Sequence, residues 1–393
     1  MDIHQFPVAI SLLTVLAAGT SVTACKPSSQ SNVGTRATAA PAVASTTGTM
    51  VITPQFDDAD AFSEGLAKVR IGDDDTGRYG FIDMQGRMVI NPQFDDAESF
   101  SEGLAKVCIG DPSTVKWGYI DKQGKMVISA QFDEAFGFTD GLAAVRIGDR
   151  KTGKWGYIDR TGTFVISPQF SFAAPFSEGL AAVRIGGDET SKWGYINRAG
   201  RFVINPQWVG ATGGYDFREG LAPVHIGDDR TGKYGSIDQM GTVVISPQAA
   251  YAYRFNEGLA AVYIRDRTAR KEAYGFIDRE GRMVIDPQFC EAWEFSDGLA
   301  KVHHIRDCTT VKYGFINKQG KMVISPQFDD ARSFTDGLAA VHISDSTTGR
   351  WGYIDKQGKM VISPQFDEAR EFSDGLAAVQ IDLQPGKWGY ISR

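Results

Sequence analysis

Apolar and polar residues alternate over short segments through most of the chain. In residues 338–343, Ala339, Val341 and Ile343 share one face, and the opposite face carries Leu338, a small residue and a mostly polar position. This period of two predicts a half-buried β-strand. A second strand, Lys-Trp-Gly-Tyr-Ile-Asp, and a third, Met-Val-Ile, follow it. They are joined by Asp-x-x-Gly, in which aspartate caps a hairpin turn and glycine accepts a positive φ.

The three-strand pattern recurs nine times between residue 50 and the last residue. A fixed period near 40 residues indicates a repeat architecture and overrides a domain count based on length. Proline follows the third strand in eight units, where it should end the hydrogen-bonded ladder. Gln-Phe-Asp-x-Ala-x-x-Phe then returns the chain as a loop, a short helical turn or a fourth strand. The units begin at Met50, Met88, Met126, Phe164, Phe202, Val243, Met283, Met322 and Met360.

The phase of the repeat bears on how its ends meet. Residues 50–52 are a third strand, and residues 387–393 contain a second strand, so one hairpin is split between the ends. A closed ring would complete that hairpin, as in β-propellers, whereas an open solenoid would leave two exposed edges. Nine units exceed the usual four to eight blades, so the solenoid remains the alternative. We predict an all-β array of nine three-stranded units of about 38 residues, closed into a propeller-like ring.

Composition and charge narrow the functional classes. The chain has 393 residues, of which 42% are hydrophobic and 23% charged, and its formal net charge is −7. These values exclude a wholly disordered chain, a collagen and a polytopic membrane protein. The acidic balance also argues against a nucleic-acid partner.

The N-terminus has the pattern of an export signal. Residues 5–24 are uncharged, and residues 6–18 form an apolar core of signal-peptide length. The sequence Val-Thr-Ala-Cys that ends at Cys25 resembles the lipobox of bacterial lipoproteins. The resemblance implies removal of residues 1–24 and acylation of Cys25, which would anchor the chain to a membrane of the cell envelope. The signal lacks Lys and Arg, and Val22 replaces the commoner leucine. An uncleaved anchor remains the alternative.

Residues 25–49 are rich in Ser, Thr and Ala and show no apolar period. They have little to bury, so we expect a disordered tether. Residues 50–393 would then form the folded, extracytoplasmic part of the protein.

The repeated motif resembles that of a known family. Lys-Trp-Gly-Tyr-Ile-Asp-x-x-Gly-Lys, preceded by Phe-Ser-Asp-Gly-Leu-Ala-x-Val, is similar to the WG-repeat (KWG) family of bacterial proteins and recurs in all nine units. The resemblance implies a β-rich repeat and no established common catalytic activity.

Three residue types recur at fixed positions in every unit. The residue before the glycine of the second strand is aromatic in every unit. The residue after that glycine is aromatic in every unit but one, where it is Ser236. We interpret them as the core between units rather than as a sugar-stacking surface. An acid precedes Gly-Leu-Ala in every unit. We expect it to cap a turn or to pair with the neighbouring unit rather than to bind a cation. A nine-fold glutamine column is read as a ladder between units.

Candidate catalytic and metal sites are weak. His303, His304 and His342, with Cys308 nearby, suggest zinc, but their spacing does not support it, and a solvated strand face is the default. Cys290 and Cys308 fall in one unit and could pair in an oxidising compartment, which leaves Cys108 as a candidate free thiol. Nucleotide-binding and hydrolase motifs do not occur. We therefore predict no metal, no cofactor and no enzymatic activity.

Units five to seven depart most from the pattern. One contains a three-residue insertion, and the hairpin at residues 265–271 is basic in an acidic protein. Insertions in repeat proteins often lie on the binding face, although drift in exposed loops would give the same pattern. The predicted binding patch comprises Trp208, Tyr215, Tyr251, Tyr253, Arg254, Arg265, Arg267, Arg270 and Lys271.

These observations together predict an envelope-anchored, non-catalytic scaffold that binds an envelope protein of unknown identity. The alternative is a module that binds glycan or peptidoglycan through exposed aromatic and basic side chains. Contact with the membrane would be through the lipid anchor alone.

Overall fold

The computed structural model describes residues 48–73, 75–110, 115–187, 191–209, 216–227, 231–266, 271–304, 312–344, 349–381 and 386–393. The contacts divide the chain into Met1–Ala44 and Ser45–Arg393, and all of the described residues belong to the second unit. These residues form an all-β structure in which nine repeats follow one another, and none of them is helical. A helix long and apolar enough to cross a membrane is absent from the described residues.

The strands fall into four classes according to their place in the repeat. The first strands are Leu66–Ile71, Leu104–Ile109, Ala143–Ile147, Leu180–Ile185, Leu221–Ile226, Leu259–Asp266, Leu299–His304, Leu338–Ser344 and Leu376–Ile381. The second strands are Arg78–Asp83, Lys116–Asp121, Lys154–Ile158, Lys192–Asn197, Lys233–Asp238, Lys271–Asp278, Tyr313–Asn317, Gly349–Asp355 and Lys387–Ser392. The third strands are Thr49–Phe56, Met88–Phe94, Met126–Phe132, Phe164–Phe170, Phe202–Val209, Val243–Ala249, Met283–Ser296, Met322–Phe328 and Met360–Phe366. The short strands are Asp58–Ala59, Asp96–Ala97, Glu134–Ala135, Phe172–Ala173, Tyr251–Ala252, Asp330–Ala331 and Glu368–Ala369.

A typical sheet is antiparallel and has the order short, first, second, third strand. Its third strand comes from the following unit, so each sheet is shared by two units. Of the three possibilities for the returning segment, the fourth strand is the one observed, although it is only two residues long. Met283–Ser296 runs without interruption through two sheets and joins them into one seven-stranded sheet.

The split hairpin is completed as the phase of the repeat predicts. Thr49–Phe56 pairs antiparallel with Lys387–Ser392 and becomes the edge of the last sheet. One core cluster contains Ile52 and Val69 from the beginning of the repeats together with Tyr390 from their end. Lys387 also forms an ion pair with Asp57. The first and last units are therefore in direct contact.

The first strand is buried more completely than its alternation predicts. Residues 180–183 are buried on both faces. Cys108, Arg146 and His303 occupy the mostly polar position of this strand, which was predicted to face solvent, and they are 3%, 8% and 4% exposed. The prediction of a half-buried strand is wrong because each sheet packs against two neighbours, and the core clusters contain residues from consecutive sheets. Only the end of the strand remains exposed.

The third strand also runs further than predicted. It continues past Met-Val-Ile and through the proline to the phenylalanine, four residues beyond the isoleucine. A bulge absorbs the extra residues, because Tyr157 pairs with Ile166 whereas Trp155 pairs with Phe170. The bulge backbone lies against the glycine of the second strand. A Cβ added to Gly156 would lie 2.5 Å from the carbonyl oxygen of Ile166, and the other eight glycines of this column are equally crowded.

The acid column joins neighbouring units, as expected. All nine acids have φ between +51° and +55°, the left-handed conformation of a tight turn. In eight of them a carboxylate oxygen accepts a hydrogen bond from the glycine N–H that follows the equivalent acid of the next unit, as in Glu64 with Gly103 at 3.0 Å. Lys122 adds an ion pair to Glu64 at 3.1 Å.

A second acidic position, the aspartate of Gln-Phe-Asp, holds three strands together. Asp133 Oδ1 lies 2.6 Å from Lys116 Nζ, and its Oδ2 accepts the N–H of Gly148 at 2.8 Å. We call this arrangement, with its lysine and its backbone N–H, the Asp clasp. Asp329 and Asp57 make the same two contacts. Partial burial opposes the charged form of Asp133, but these hydrogen bonds outweigh it and hold the pKa of the carboxyl below its usual value.

The close approach of the bulge gives a first prediction. Gly156→Ala should destabilise the protein by about 2 kcal/mol or more, because its Cβ would overlap backbone atoms that the strand pairing fixes. Gly187→Ala is the matched control, since open space surrounds that position. Urea denaturation measures both variants. Equal stability of the two would contradict the steric explanation.

The Asp clasp gives a second prediction, on pH dependence. A lowered folded-state pKa stabilises the protein above the unfolded value, near 4, and this stabilisation is lost as the pH falls through the folded value. Asp133→Asn should therefore cost up to about 1 kcal/mol at pH 7, because the pair is partly exposed. The difference from the wild type should shrink as the pH falls below about 4 and through the folded-state pKa.

Thermal unfolding between pH 3 and pH 7 tests this expectation. Ser171→Asn, at the equivalent position of the next unit, removes no carboxylate and should show no such pH dependence. A cost for Asp133→Asn that is unchanged at pH 3 would exclude the charge as its cause.

Candidate functional site

Some residues of the predicted binding patch lie in the core, some lie at the surface, and some are not among the described residues. Trp208 is a core residue, 8% exposed, and its ring lies 6.2 Å from that of Tyr195. Arg254 is half-buried, and its Nη1 contacts both carboxylate oxygens of Asp216, at 2.6 and 2.7 Å. Tyr215, Arg267 and Arg270 lie outside the described residues, as does the side chain of Lys271.

Tyr251 and Tyr253 belong to a larger group of rings. Their centroids are 5.0 Å apart, and Tyr251 lies 5.3 Å from Tyr234. Tyr274 lies 6.3 Å from Tyr253 and 4.9 Å from Tyr263. We call these five residues the Tyr cluster. Tyr234 is buried, and the other four are half-buried, so one side of the cluster is open to solvent.

Strand register assembles the Tyr cluster. Tyr251 pairs with Tyr263 across the short and first strands, and Tyr263 pairs with Tyr274 across the first and second strands. Side chains at directly paired positions lie on the same face of a sheet. The three rings therefore form a row across one sheet.

An acid and a base lie beside this row. Arg265 Nε contacts Glu272 Oε1 at 3.0 Å, and its guanidinium lies 5.7 Å from the centre of the Tyr263 ring. The Tyr263 hydroxyl donates to Glu272 Oε2 at 2.7 Å. Burial raises the pKa of Tyr263 and of Tyr274, so both hydroxyls are neutral donors at pH 7.

Sequence reasoning missed Tyr234, Tyr263, Tyr274 and Glu272. The signal was present in the repeat itself. Tyr263 lies in a column that elsewhere holds Arg, His, Cys or Gln, and it is the aromatic member of that column. Combining that exception with the antiparallel register places it between Tyr251 and Tyr274.

The candidate metal and thiol groups do not come together as a site. Within the described residues, no group of three or more His, Cys, Asp or Glu side chains is placed to hold a metal ion. The rings of His225 and His342 lie beside Tyr234 and Trp351, whereas Cys308 and the side chain of His304 lie outside the description. No zinc site is assembled from what is described.

The cysteines have different states. Cys108 is buried and free, and desolvation together with the nearby Asp95 and Asp96 raises its pKa to about 11, which makes it a poor nucleophile. Cys290 is disulfide-bonded, and the predicted partner, Cys308, lies outside the described residues.

The second of the two aromatic columns is core, as predicted. In the first column the ring is buried in five units and half-buried in the four that hold Tyr79, Trp117, Tyr274 and Tyr313. The residue two positions after each Trp or Tyr is buried in all nine units, including Tyr157 and Ser236. The glutamine ladder is wrong in most units: Gln93, for example, is exposed and donates to the carbonyl of Asn91, two residues before it. Gln248 differs, because its Nε2 donates to the carbonyl of Gly281, which lies in the hairpin of the neighbouring sheet.

The Tyr cluster is therefore the surface best suited to binding. Aromatic rings provide apolar area, and their hydroxyls and the neighbouring guanidinium provide directional hydrogen bonds. Tyrosine and arginine are the residue types that dominate binding energy at protein interfaces.

Comparisons with known proteins place the chain by its repeat. No curated protein matches it. Similar solved structures include a eukaryotic initiation factor, 10% identical over 88% of this chain and 87% of that chain, with a TM-score of 0.44. A dipeptidyl peptidase 4 from Porphyromonas gingivalis is 10% identical over 84% of this chain and 65% of that one, with a TM-score of 0.47. At these TM-scores neither similarity contributes to an assignment of function.

The family comparison is direct. The description "WG containing repeat" matches nine segments, which together cover most of the chain. These are residues 43–73, 79–111, 117–150, 155–187, 193–228, 234–267, 274–302, 313–343 and 351–391. The chain belongs to the family of proteins built from WG-containing repeats.

Proposed function

We propose that the nine repeats close into a propeller-like ring. Two of the bonds between the last and first units, from Ser373 and Tyr390, are those that join neighbouring units elsewhere. Ser373 Oγ donates to the carbonyl of Phe62 at 2.8 Å, just as Ser63 Oγ donates to that of Phe100. An open solenoid would leave these groups without partners at its two ends. The equivalence of the closing bonds and the internal bonds supports the ring.

We further propose that this ring is a non-catalytic scaffold that binds a partner protein, held at the cell envelope by a lipid on Cys25. The observation that carries the binding role is the half-buried row of Tyr251, Tyr263 and Tyr274 beside Arg265. Five tyrosines lie together here, on the repeats that depart most from the pattern, with a guanidinium and a carboxylate beside them. The rings of Phe136, Trp155, Phe172 and Trp193 form a comparable group, but it carries no hydroxyl. The anchor rests on the lipobox resemblance.

Glycan or peptidoglycan binding is the second candidate. Sugars stack on aromatic faces, and the open side of the Tyr cluster offers such faces. Saturable quenching of the intrinsic fluorescence by peptidoglycan fragments would favour this candidate over the scaffold.

Closure of the ring predicts a cross-link between the chain ends. Thr49 and Ser392 are directly paired across antiparallel strands, and Cα atoms at such positions lie within disulfide range. The double variant Thr49→Cys/Ser392→Cys should therefore form an intramolecular disulfide on mild oxidation. Non-reducing electrophoresis detects the faster-migrating product. The single variants are controls, and dimers without the intramolecular product would count against the ring.

The scaffold role predicts capture of a discrete partner. Cross-linking in intact cells, followed by affinity purification, should recover one envelope protein. Charge reversal of Arg265, Arg267 and Arg270 to glutamate should reduce its recovery by about tenfold or more, because arginine at the centre of an interface carries much of its energy. Cys25→Ser should also reduce recovery by releasing the protein from the membrane.

The matched control reverses three exposed arginines of the hairpins that join second and third strands, Arg87, Arg201 and Arg282. It carries the same change of charge away from the Tyr cluster and should leave recovery unchanged. Equal loss in both triple variants, or recovery of glycan alone, would argue against the scaffold.

A further inference from the structure

The aspartate of the Asp clasp is missing from four consecutive units, and we call the three of them that keep the lysine the broken clasps. Where the first three units and the last two have aspartate, the positions in between are occupied by Ser171, Val209, Ala250 and Cys290. At Cys290 the basic partner is also missing, because Ala273 replaces it. At the other three positions the lysine is retained while the carboxylate is lost.

The retained lysines are Lys154, Lys192 and Lys233. Each occupies the same ladder position as Lys116, directly opposite the isoleucine that ends the first strand. All three are exposed, whereas Lys116 is half-buried against its aspartate. No ion pair joins them to a carboxylate within the part of the chain that the structure describes.

The second half of the clasp is also retained. In the clasps of Asp57 and Asp133 the other carboxylate oxygen accepts the N–H of a glycine with positive φ, +106° at Gly72 and +96° at Gly148. In the clasp of Asp329 the backbone donor is Ser344. Gly186 and Gly227 are the equivalent residues of the broken units, and their φ values are +94° and +116°. Their N–H groups are therefore presented in the same backbone conformation.

The substituting side chains do not replace the carboxylate. Ser171 Oγ donates to the carbonyl of Arg184 at 2.9 Å, so it acts as a donor toward the backbone. Val209 and Ala250 have no polar side-chain atom. The clasps of Lys154 and Lys192 thus keep an ammonium and a glycine N–H of the kind that, in sister units, bind the two oxygens of one carboxylate. The clasp of Lys233 keeps the ammonium, and Arg265 stands at the glycine position.

We propose that the three broken clasps bind carboxylate side chains of an acidic polypeptide segment. The inference rests on the proposed scaffold role and specifies its partner as a segment rich in Asp or Glu. A protein carboxylate is the group that occupies the same donors in the intact units, which favours a peptide over other anions. One clasp per unit, in consecutive units, suits an extended chain with several acids.

The surface continues into the Tyr cluster. Arg265 follows Ile264 at the position that Gly186 and Gly227 hold in the two preceding units. It belongs to the same unit as Ala250, as Gly148 belongs to the same unit as Asp133. A segment lying on the clasps of Lys192 and Lys233 would therefore reach Arg265 and Tyr263. Acidic and aromatic residues in the partner would match these two parts of the surface.

Fluorescence anisotropy of a labelled deca-glutamate peptide tests the proposal on the full chain in detergent. The wild type should bind it, with an affinity that falls as salt is added. Replacing Lys154, Lys192 and Lys233 with alanine should weaken binding by about tenfold or more. The control variant replaces Lys125, Lys321 and Lys359, which are exposed hairpin lysines, and should bind as the wild type does.

A reciprocal variant keeps the lysines and restores the acids. Ser171→Asp, Val209→Asp and Ala250→Asp should rebuild the clasps within the chain. The restored carboxylates would occupy the donors, so peptide binding should fall by about tenfold while thermal stability is maintained or rises. This variant separates loss of the site from loss of the fold.

Three results would overturn the proposal. These are equal weakening in the control lysine variant, unchanged binding in the aspartate variant, and tighter binding of a uronic-acid or sulfated oligosaccharide than of the peptide. If the peptide fails to bind while cross-linking still captures a partner dependent on Arg265, the scaffold stands and the carboxylate assignment alone is wrong. If no partner is captured but the peptide binds as described, the carboxylate assignment stands and the scaffold role alone is wrong.

Discussion

The contact on which the repeat depends is that between the bulge of the third strand and the glycine of the second. The backbone around Ile166 and Pro168 occupies the space that a Cβ on Gly156 would need. Any other residue would push the third strand away from the second. The third strand would then no longer lead directly into the next sheet, because only one residue, Ser171, separates it from the short strand that follows. The aromatic residue beside the glycine fills the core, but the absence of a side chain sets the path of the chain.

Hydrogen bonds between units make each sheet depend on its neighbours. The left-handed acids accept N–H groups from the next unit, and the serine before the acid donates to a carbonyl of that unit. Buried tyrosines add another bond, as in Tyr157 to the carbonyl of Ala174 at 2.7 Å. A single unit would leave these groups unsatisfied and its apolar faces exposed to water, so stability is a property of the stack.

Much of this architecture could be predicted from the sequence, and the failures have specific physical causes. Period and phase predicted the number of units and the pairing of residues 50–52 with the last strand. Alternation underestimated the burial of Cys108 and His303, because a pattern within one strand cannot report a sheet packed on both faces. Proline was expected to end a strand that a bulge carries past it. At the candidate site, Tyr251 and Tyr253 were found, but Tyr263 became visible only once strand register was known. Trp208 was placed on the surface because its neighbourhood is irregular, although the ring itself is in the core.

The pairing of Thr49–Phe56 with Lys387–Ser392 determines when the last sheet can form during synthesis. Synthesis delivers residues 49–56 first and their partner, residues 387–392, last. Until residues 387–392 have been made, the strand Thr49–Phe56 has an unpaired edge, and its core residues Ile52 and Phe56 have no Tyr390 or Trp388 to contact. The sheet that these two strands share can therefore form only after residue 392 has been made. A truncated product, however long, would lack one strand of that sheet and retain an open edge at which quality control or aggregation can begin.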